Sequence, residues 1–474
     1  MKPFSIYNTL SHSVEEVKPQ QPPVVTIYSC GPTVYLPQHL GNLRTYLSWD
    51  FLRRAMELND FQVRHVINVT DVGHMTSDED EGEDKIEKTA RAEGKSPLEV
   101  ASFYLAMFQR DLATLNAETP MVWCRATDHI GDMLALIQRI LAAGMAYVTK
   151  SGVYFDVEKY RGDSKRGKLS GQSLDEQHAG QRLEHSPDKK SPHDFALWVL
   201  NQPHHLMQWE SPWGRGYPGW HIECSAMSMK YLGETIDIHT GGMDHIPIHH
   251  ENEIAQSESA TGHRFANYFV HSAFLVGKSG AKISKSTGKF PLLSDVTAIG
   301  IDALAFRVFC LGAKYRSELA FSDEGLRAAQ SNLEYLREFA RNLVADVDSG
   351  ADSSFTMEYR DRFVEALNDD LNTPRALAVA LEMAAEAYRR KDLKASKTLR
   401  FFDRVLGLRL ESVRGAAEAG EFPAEIQALI EERAAARQAK NFKRADELRA
   451  EMEARGYEVK DGRGGTATYR RRGA

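Results

Sequence analysis

The chain has 474 residues, 42% apolar and 26% charged, with 59 Lys and Arg against 66 Asp and Glu for a net charge of -7. This composition excludes disordered, collagenous and low-complexity classes, and at roughly 100–200 residues per domain it implies two to four globular domains. The acidic balance gives no whole-chain attraction to nucleic acid, so a polyanion must be met by a local patch.

In chain order, VVTIYS (24–29) reads as a buried strand, Gly31 and Pro32 as a turn, and the stretch from about Asn42 as a helix with Leu43, Tyr46, Leu47, Phe51 and Leu58 at near-helical spacing. FQVRHVINVT (61–70) is a second β-rich run, so the chain opens like a βαβ unit with a parallel sheet. The acidic run SDEDEGEDK (77–85) reads as a solvated loop or helix start. Helices follow at about 96–116 and 129–143, and 158–194 is polar, Gly-rich and mixed in charge, like an inserted module. Strong periodicity returns with a helix (221–233), a strand (235–240), a Gly-Gly turn, a helix (246–262) and a β segment (266–276), which predicts one sheet whose halves are separated in sequence. Beyond about Asp302 the pattern is helical to Arg455, and 457–470 reads as a hairpin around Gly464 and Gly465. The N-terminus has no apolar signal-like core and no apolar run approaches the roughly 18 residues of a membrane span, so a soluble, cytoplasmic protein is expected.

Four cysteines, Cys30, Cys124, Cys224 and Cys310, are too few for a disulfide framework and leave packing, catalysis or metal ligation. His249 and Glu253 stand four residues apart on a predicted helix and emerge on one face. Cys30 closes the first strand and Cys224 sits near a helix start, so in a single sheet all four could converge beside its C-terminal edge. Two thiolates, an imidazole and a carboxylate suit zinc, although each cysteine alone reads more simply as a small buried hydrophobe. His250 and Glu251 are expected outside the ligand set or in solvent. HHENE departs from the protease pattern HExxH, because Ile254 stands where the second His belongs.

HLGN (39–42) lies between the first strand and a helix, a position that suits phosphate and equally an ordinary turn. KISKS (282–286) puts Lys282 and Lys285 in a polar loop, where they could neutralise a leaving pyrophosphate or simply be solvated. Gly214, Gly216 and Gly219 match GxGxxG but follow no convincing strand, and GKS at 94–96 and 277–279 lacks the upstream Gly of a Walker loop.

Taken in order, CGPTVYLPQHLGNLRT (30–45), DFALW (194–198), PGWHIECSAM (218–227), HTGGMDHIPIHHENEIAQSE (239–258), KISKS, FRVFCLGAKYRSEL (306–319) and LNDDLNTPRAL (367–377) resemble the cysteinyl-tRNA synthetase family of class I. HLGN is similar to its HIGH signature and KISKS to its KMSKS signature. The resemblance implies one Zn2+ on Cys30, Cys224, His249 and Glu253 that takes the thiolate of L-cysteine. It also implies ATP, with Mg2+, contacted at its phosphates by His39 and Asn42, at adenosine by Gly241, Gly242 and Asp244, and at pyrophosphate by Lys282 and Lys285. Thr70 and Trp220 are expected to shape the amino-acid pocket. Asn42 replaces the second His of HIGH and Ile283 the Met of KMSKS, and MDHIPIHH departs from the DLxFPHH form, so choosing His249 over His250 rests on its spacing to Glu253.

Residues 431–474 carry 12 Lys and Arg against 8 Asp and Glu, opposite to the whole chain. By the resemblance this is an anticodon-binding domain for tRNA(Cys), with Arg437, Phe442, Asp446 and Asp461 as candidates to read unpaired bases; Tyr469 stands where the family shows Trp. The expected fold is α/β: a Rossmann-like catalytic domain in two halves (1–127 and 203–264) split by a connective insertion (128–202), a KISKS-bearing linker (265–327), a helical bundle (328–410) and a C-terminal anticodon module (411–474), in a monomer. A ligase joining cysteine to an aminosugar amine is the nearest rival, and a non-catalytic tRNA-binding protein the next.

Overall fold

The computed structural model describes residues 2–72, 84–162, 167–177, 188–203, 205–277, 291–343, 354–390, 392, 395–410, 423–439, 441–461 and 467–471. Lys282 and Lys285 lie outside the described residues, as do most of the acidic run near 77–85 and the tip of the terminal hairpin. The chain forms two compact units, one of Met1–Leu333, Glu358–Leu381 and Arg404–Leu408, the other of Glu334–Met357, Glu382–Asp403 and Arg409–Ala474.

In the first unit the apolar run VVTIYS is β1 (Val24–Ser29). It leads to α1 (Leu40–Leu58), whose start is set by a reciprocal cap: His39 Nδ1 accepts the Asn42 N–H at 3.3 Å, and Asn42 Oδ1 accepts the His39 N–H at 3.2 Å. There follow β2 (Gln62–Val69), α2 (Lys85–Glu93), capped by Asp84, and β3 (Val122–Arg125). After the insertion come α3 (Ile222–Leu232), β4 (Ile236–Gly242), α4 (His249–Thr261) and β5 (Ala266–Ser272). The strands form one parallel sheet in the order β5-β4-β1-β2-β3, so the split sheet expected from the pattern is present. Strand order reverses between β1 and β4, where Ser29 pairs with Thr240, and the crevice beyond their carboxyl ends is where ligands bind in such sheets. Ile27, Tyr28, Val66 and Ile238 are fully buried, as expected of a sheet covered on both faces.

The insertion is built on an antiparallel sheet of Ala146–Val148, Gly152–Phe155, Phe195–Leu200 and Gly216–Pro218. The polar stretch 158–194 thus connects strands whose apolar residues lie on its flanks. The sheet also extends past residue 202, because Gly216–Pro218 pairs with Phe195–Leu200. The GxGxxG string falls in this edge strand and opens no nucleotide-binding helix.

Helix α5 (Ala303–Leu311) is joined to α1 by a buried ion pair, with Arg307 Nη2 2.5 Å from Asp50 Oδ2. Arg54 shares the same oxygen at 2.9 Å. Burial alone raises the Asp50 carboxyl, but the two guanidinium groups and the Glu118 N–H hold it below its ordinary value. Asp370, in LNDDLNTPRAL, accepts the Tyr7 N–H at 2.9 Å, the Tyr315 hydroxyl at 2.7 Å and Arg316 Nη2 at 2.6 Å, tying the N-terminal hairpin Ser5–Asn8 and Ser13–Glu16 to this region.

In the second unit, helices Ala424–Gln438 and Phe442–Ala454 pack against each other, and Tyr457–Asp461 pairs antiparallel with Ala467–Arg471, the terminal hairpin expected from the sequence. Ile426, Met452, Tyr457 and Val459 form its small core. Arg433 is buried there, with Nε donating to the Ala445 carbonyl at 3.2 Å.

Candidate metal centre

Three segments meet at the switch point. Cys30 directly follows β1, and its N–H donates to the Thr240 carbonyl at 3.0 Å. The next residue must be glycine, because a Cβ on Gly31 would lie 1.5 Å from the Asn68 carbonyl oxygen. Cys224 is in the first turn of α3, which begins after His221 at φ 84, a left-handed conformation costly for a non-glycine residue. His249 opens α4 and Glu253 lies one turn on, so the helical repeat stacks them. The donor atoms of Cys30, Cys224, His249 and Glu253 all lie within 4.8 Å of one another, and all four residues are buried.

The protonation pattern suits a cation. His249 Nε2 is 2.6 Å from Glu253 Oε1, yet it lacks the alignment of a hydrogen bond. The other ring nitrogen is bonded to His221 Nδ1 at 2.7 Å, which leaves Nε2 to face the centre. Glu253 Oε2 is held by His239 Nε2, and His239 Nδ1 lies 3.0 Å from the Tyr28 carbonyl. With Glu253 ionised, the carboxylate and the carbonyl both accept, and His239 would then donate from both ring nitrogens. Burial opposes the resulting charge, but Glu253 outweighs it and raises the His239 pKa. In turn, burial works against the Glu253 charge, and His239 and His249 hold it well below the carboxylate range. Burial raises the Cys30 thiol, whereas a hydrogen bond from Cys30 lowers Cys224. A divalent cation among two thiolates and a carboxylate would leave one negative charge, which a protonated His239 would balance. The donor set therefore fits a borderline-soft divalent ion.

A second set, Cys30, His239, His250 and Glu253, also lies close together. It is the poorer ligand set, because a His239 ring protonated on both nitrogens has no lone pair to offer. His250, expected beyond the ligands or in solvent, is fully buried, with Nε2 3.3 Å from Cys30 Sγ. Its Nδ1 meets His271 Nε2 at 2.8 Å, and His271 Nδ1 meets the Thr9 hydroxyl at 2.8 Å. Burial, then neighbouring histidines, push His250 and His271 below the ordinary imidazole value, and burial with His249 pushes His245 down to about 4. His221, His239, His245 and His271 are not singled out by the sequence analysis. His239 and His271 are singletons on buried strands, with no spacing to mark them; the density of histidines that follows Cys224 is the sign the sequence offers.

The remaining expected residues surround this centre in different ways. His39 and Asn42 cap α1 at the helix end that follows β1. Gly241 is the penultimate residue of β4, where a Cβ would lie 2.5 Å from His245 Nδ1 and 2.8 Å from His250 Cε1. Gly242 is half-buried and Asp244 exposed in the turn Met243–His245. Thr70 donates its N–H to the Pro32 carbonyl at 3.1 Å and accepts from Asn68 Nδ2 at 3.1 Å, placing it beside the turn after Cys30. Trp220 is 37% exposed, stacked on His221 with ring centroids 4.8 Å apart and 5.5 Å from the His249 ring. In the second unit Phe442 is 62% exposed and Asp446 shares its helix face one turn on. Arg437 is half-buried, and Asp461 is described only by its backbone, in the terminal strand.

The parallel sheet with its switch point and the HLGN turn is the arrangement expected of a class I aminoacyl-tRNA synthetase. The family model of the tRNA synthetases class I (C) catalytic domain matches residues 16–331, a DALR domain matches 362–411, and the cysteinyl-tRNA ligase anticodon binding domain matches 419–470. The cysteine-tRNA ligase of Treponema denticola is 43% identical over 98% of this chain and 99% of its own. Cysteine-tRNA ligase 1 of Burkholderia lata is 45% identical over 97% and 95%, and the Chlorobaculum tepidum cysteine-tRNA ligase 42% over the full length of both chains. The chain belongs to the cysteine-tRNA ligase family. Among solved structures, Mycobacterium tuberculosis methionyl-tRNA synthetase with methionyl-adenylate shares the fold at TM-score 0.55 and 16% identity, covering 81% of this chain and 90% of its own. The leucyl enzyme of Agrobacterium radiobacter K84 does so at TM-score 0.55 and 12% identity, covering 84% and 85%. The aminosugar-ligase rival gains no support, since the match continues into the anticodon module. No described helix is long and apolar enough to cross a membrane.

Proposed function

We propose that this chain activates L-cysteine with ATP and transfers it to the 3′ end of tRNA(Cys), with one zinc ion on Cys30, Cys224, His249 and Glu253 selecting the substrate thiol. The convergence of these four buried donors at the switch point carries the reading. When bound, zinc lowers a thiol pKa and bonds the soft thiolate, whereas a serine hydroxyl stays protonated and hard. A hydrophobic pocket alone separates two such similar side chains poorly.

In the first step the cysteine carboxylate oxygen attacks the α-phosphorus of ATP and the bond to pyrophosphate breaks. In the second a terminal ribose hydroxyl attacks the adenylate carbonyl and AMP leaves. Both are problems of positioning and charge stabilisation. Trp220 and Thr70 flank the amino acid, the α1 cap of His39 and Asn42 meets the ATP phosphates, and Gly241, Gly242 and Asp244 hold the adenosine. Lys282 and Lys285 neutralise pyrophosphate, with Mg2+ on the nucleotide. Arg437, Phe442, Asp446 and Asp461 read the anticodon. The four cysteines are free and buried, which suits the reducing cytoplasm, and the enzyme acts as a monomer.

Four protein donors fill a tetrahedral site. For the substrate sulfur to bind, the metal would have to take it as a fifth ligand or Glu253 would have to yield, and the His239 grip on its other oxygen would give the displaced carboxylate a partner. A cysteine-bound structure with the substrate sulfur far from the metal would rule this out. Function is tested by cysteine-dependent exchange of pyrophosphate into ATP without tRNA. Exchange is expected with cysteine and not with serine; a flat response to cysteine ends the proposal.

A further inference from the structure

The acidic stretch that reads as solvated ends in a buried cluster. Asp84, the cap of α2, and Glu87, in its first turn, are 3% and 1% exposed and meet His205, which is 9% exposed, in the segment between two strands of the insertion sheet. Asp84 Oδ1 is used as a cap, accepting the Glu87 N–H at 2.8 Å, and Glu87 Oε1 accepts the Leu206 N–H at 2.6 Å. His205 is stacked on Tyr217 at 4.0 Å, which fixes its ring plane.

His205 Nε2 lies 3.3 Å from Asp84 Oδ2, and Nδ1 lies 3.1 Å from Glu87 Oε1. Neither contact has hydrogen-bond alignment, so both buried ring nitrogens and Asp84 Oδ2 lack a hydrogen-bond partner. A histidinium bridging two carboxylates would aim an N–H at each oxygen, and this ring does not. The nearby Arg91 reaches Glu87 Oε2 at 3.4 Å, but its guanidinium arm is 57% exposed. Glu87 Oε1 also accepts the Met207 N–H at 3.4 Å, so the groups left without a partner are Asp84 Oδ2 and the two His205 nitrogens, and burying such groups is costly.

We propose that Asp84, Glu87 and His205 form a second divalent-cation site, independent of the thiolate centre. One ligand atom from each lies within 4.8 Å of the others. A divalent ion neutralises both carboxylates and takes the imidazole as a neutral ligand. Two oxygens and one nitrogen suit a first-row ion such as Zn2+, Co2+ or Mn2+ and leave coordination positions for water. The ion would staple the segment carrying His205 and Leu206 to the start of α2.

The test uses the full-length, zinc-replete protein, freed of loosely bound metal and titrated with Co2+ alone. The expected result is one further equivalent per chain by equilibrium dialysis, with visible cobalt absorption but no sulfur-to-cobalt charge-transfer band. His205→Gln and Asp84→Asn should each abolish that equivalent while zinc content and cysteine-dependent exchange persist. Wild-type protein that takes up no Co2+, or takes it up only with the thiolate band, overturns the proposal whether or not the variants fold. Uptake that persists in both variants overturns it as well. Failure of the cysteine-activation reading would show instead in the exchange assay.

Discussion

The metal centre and the C-terminal module solve opposite problems. The centre gathers Cys30, Cys224, His249 and Glu253 from segments more than 200 residues apart at the extremes, in a dry site where each charge must be matched. The module is built from neighbours in sequence, two helices and a hairpin over a small core, and it leaves Phe442 and Asp446 in solvent. Chemical selection of a small thiol needs low dielectric and excluded water, which only a buried site supplies. Recognition of unpaired bases needs exposed rings and charges that a polynucleotide can reach.

If that division is right, damage to one region spares the step served by the other. The largest effect is expected from Cys224→Ser: loss of bound metal, seen by atomic absorption, together with a fall of more than about 100-fold in cysteine-dependent exchange, exceeding the range typical for partners outside the ligand shell. A variant that keeps both metal and exchange breaks the comparison at its root. Deleting 411–474 should lower aminoacylation by about 100-fold or more, since several bases lose contacts of ~1–3 kcal/mol each, while exchange survives; equal losses in the two assays would merge the regions into one functional unit. His239→Gln should weaken the metal about 10–100-fold in competition with a chelator, because Glu253 loses the partner that orients it. Unchanged affinity would remove His239 from the centre. The smallest effect is expected from Phe442→Ala, a rise of about 10-fold in the KM for tRNA with exchange untouched, from one lost stack. A change in exchange there would show coupling that the division denies.

Much of this was legible before any coordinates. The strand VVTIYS, the helix after HLGN and the terminal hairpin follow from local pattern, and His249 with Glu253 follows from the helical repeat. The polar pattern of 158–194 marks an insertion but does not reveal its sheet, whose strands lie at the edges of that stretch. His239 escaped because a lone histidine in an apolar strand has no spacing signal, and its role depends on a carboxylate 14 residues on in a different element. Asp84 and Glu87 escaped for a different reason: acidic residues near a helix start are ordinarily solvated, and only His205, from the insertion, marks them as buried.

By itself the sequence determined the alternation of strands and helices, the resemblance carried by ordered motifs, and the four residue types able to hold a metal. Periodicity and residue chemistry are local properties, written within a few turns of chain. The strand order, which places the end of β1 beside the end of β4, was decided by tertiary structure alone. So were the His239 contact behind Glu253 and the buried cluster at the start of α2, because proximity across long stretches of chain, and the loss of water that makes unmatched charge costly, exist only after the sheet has assembled.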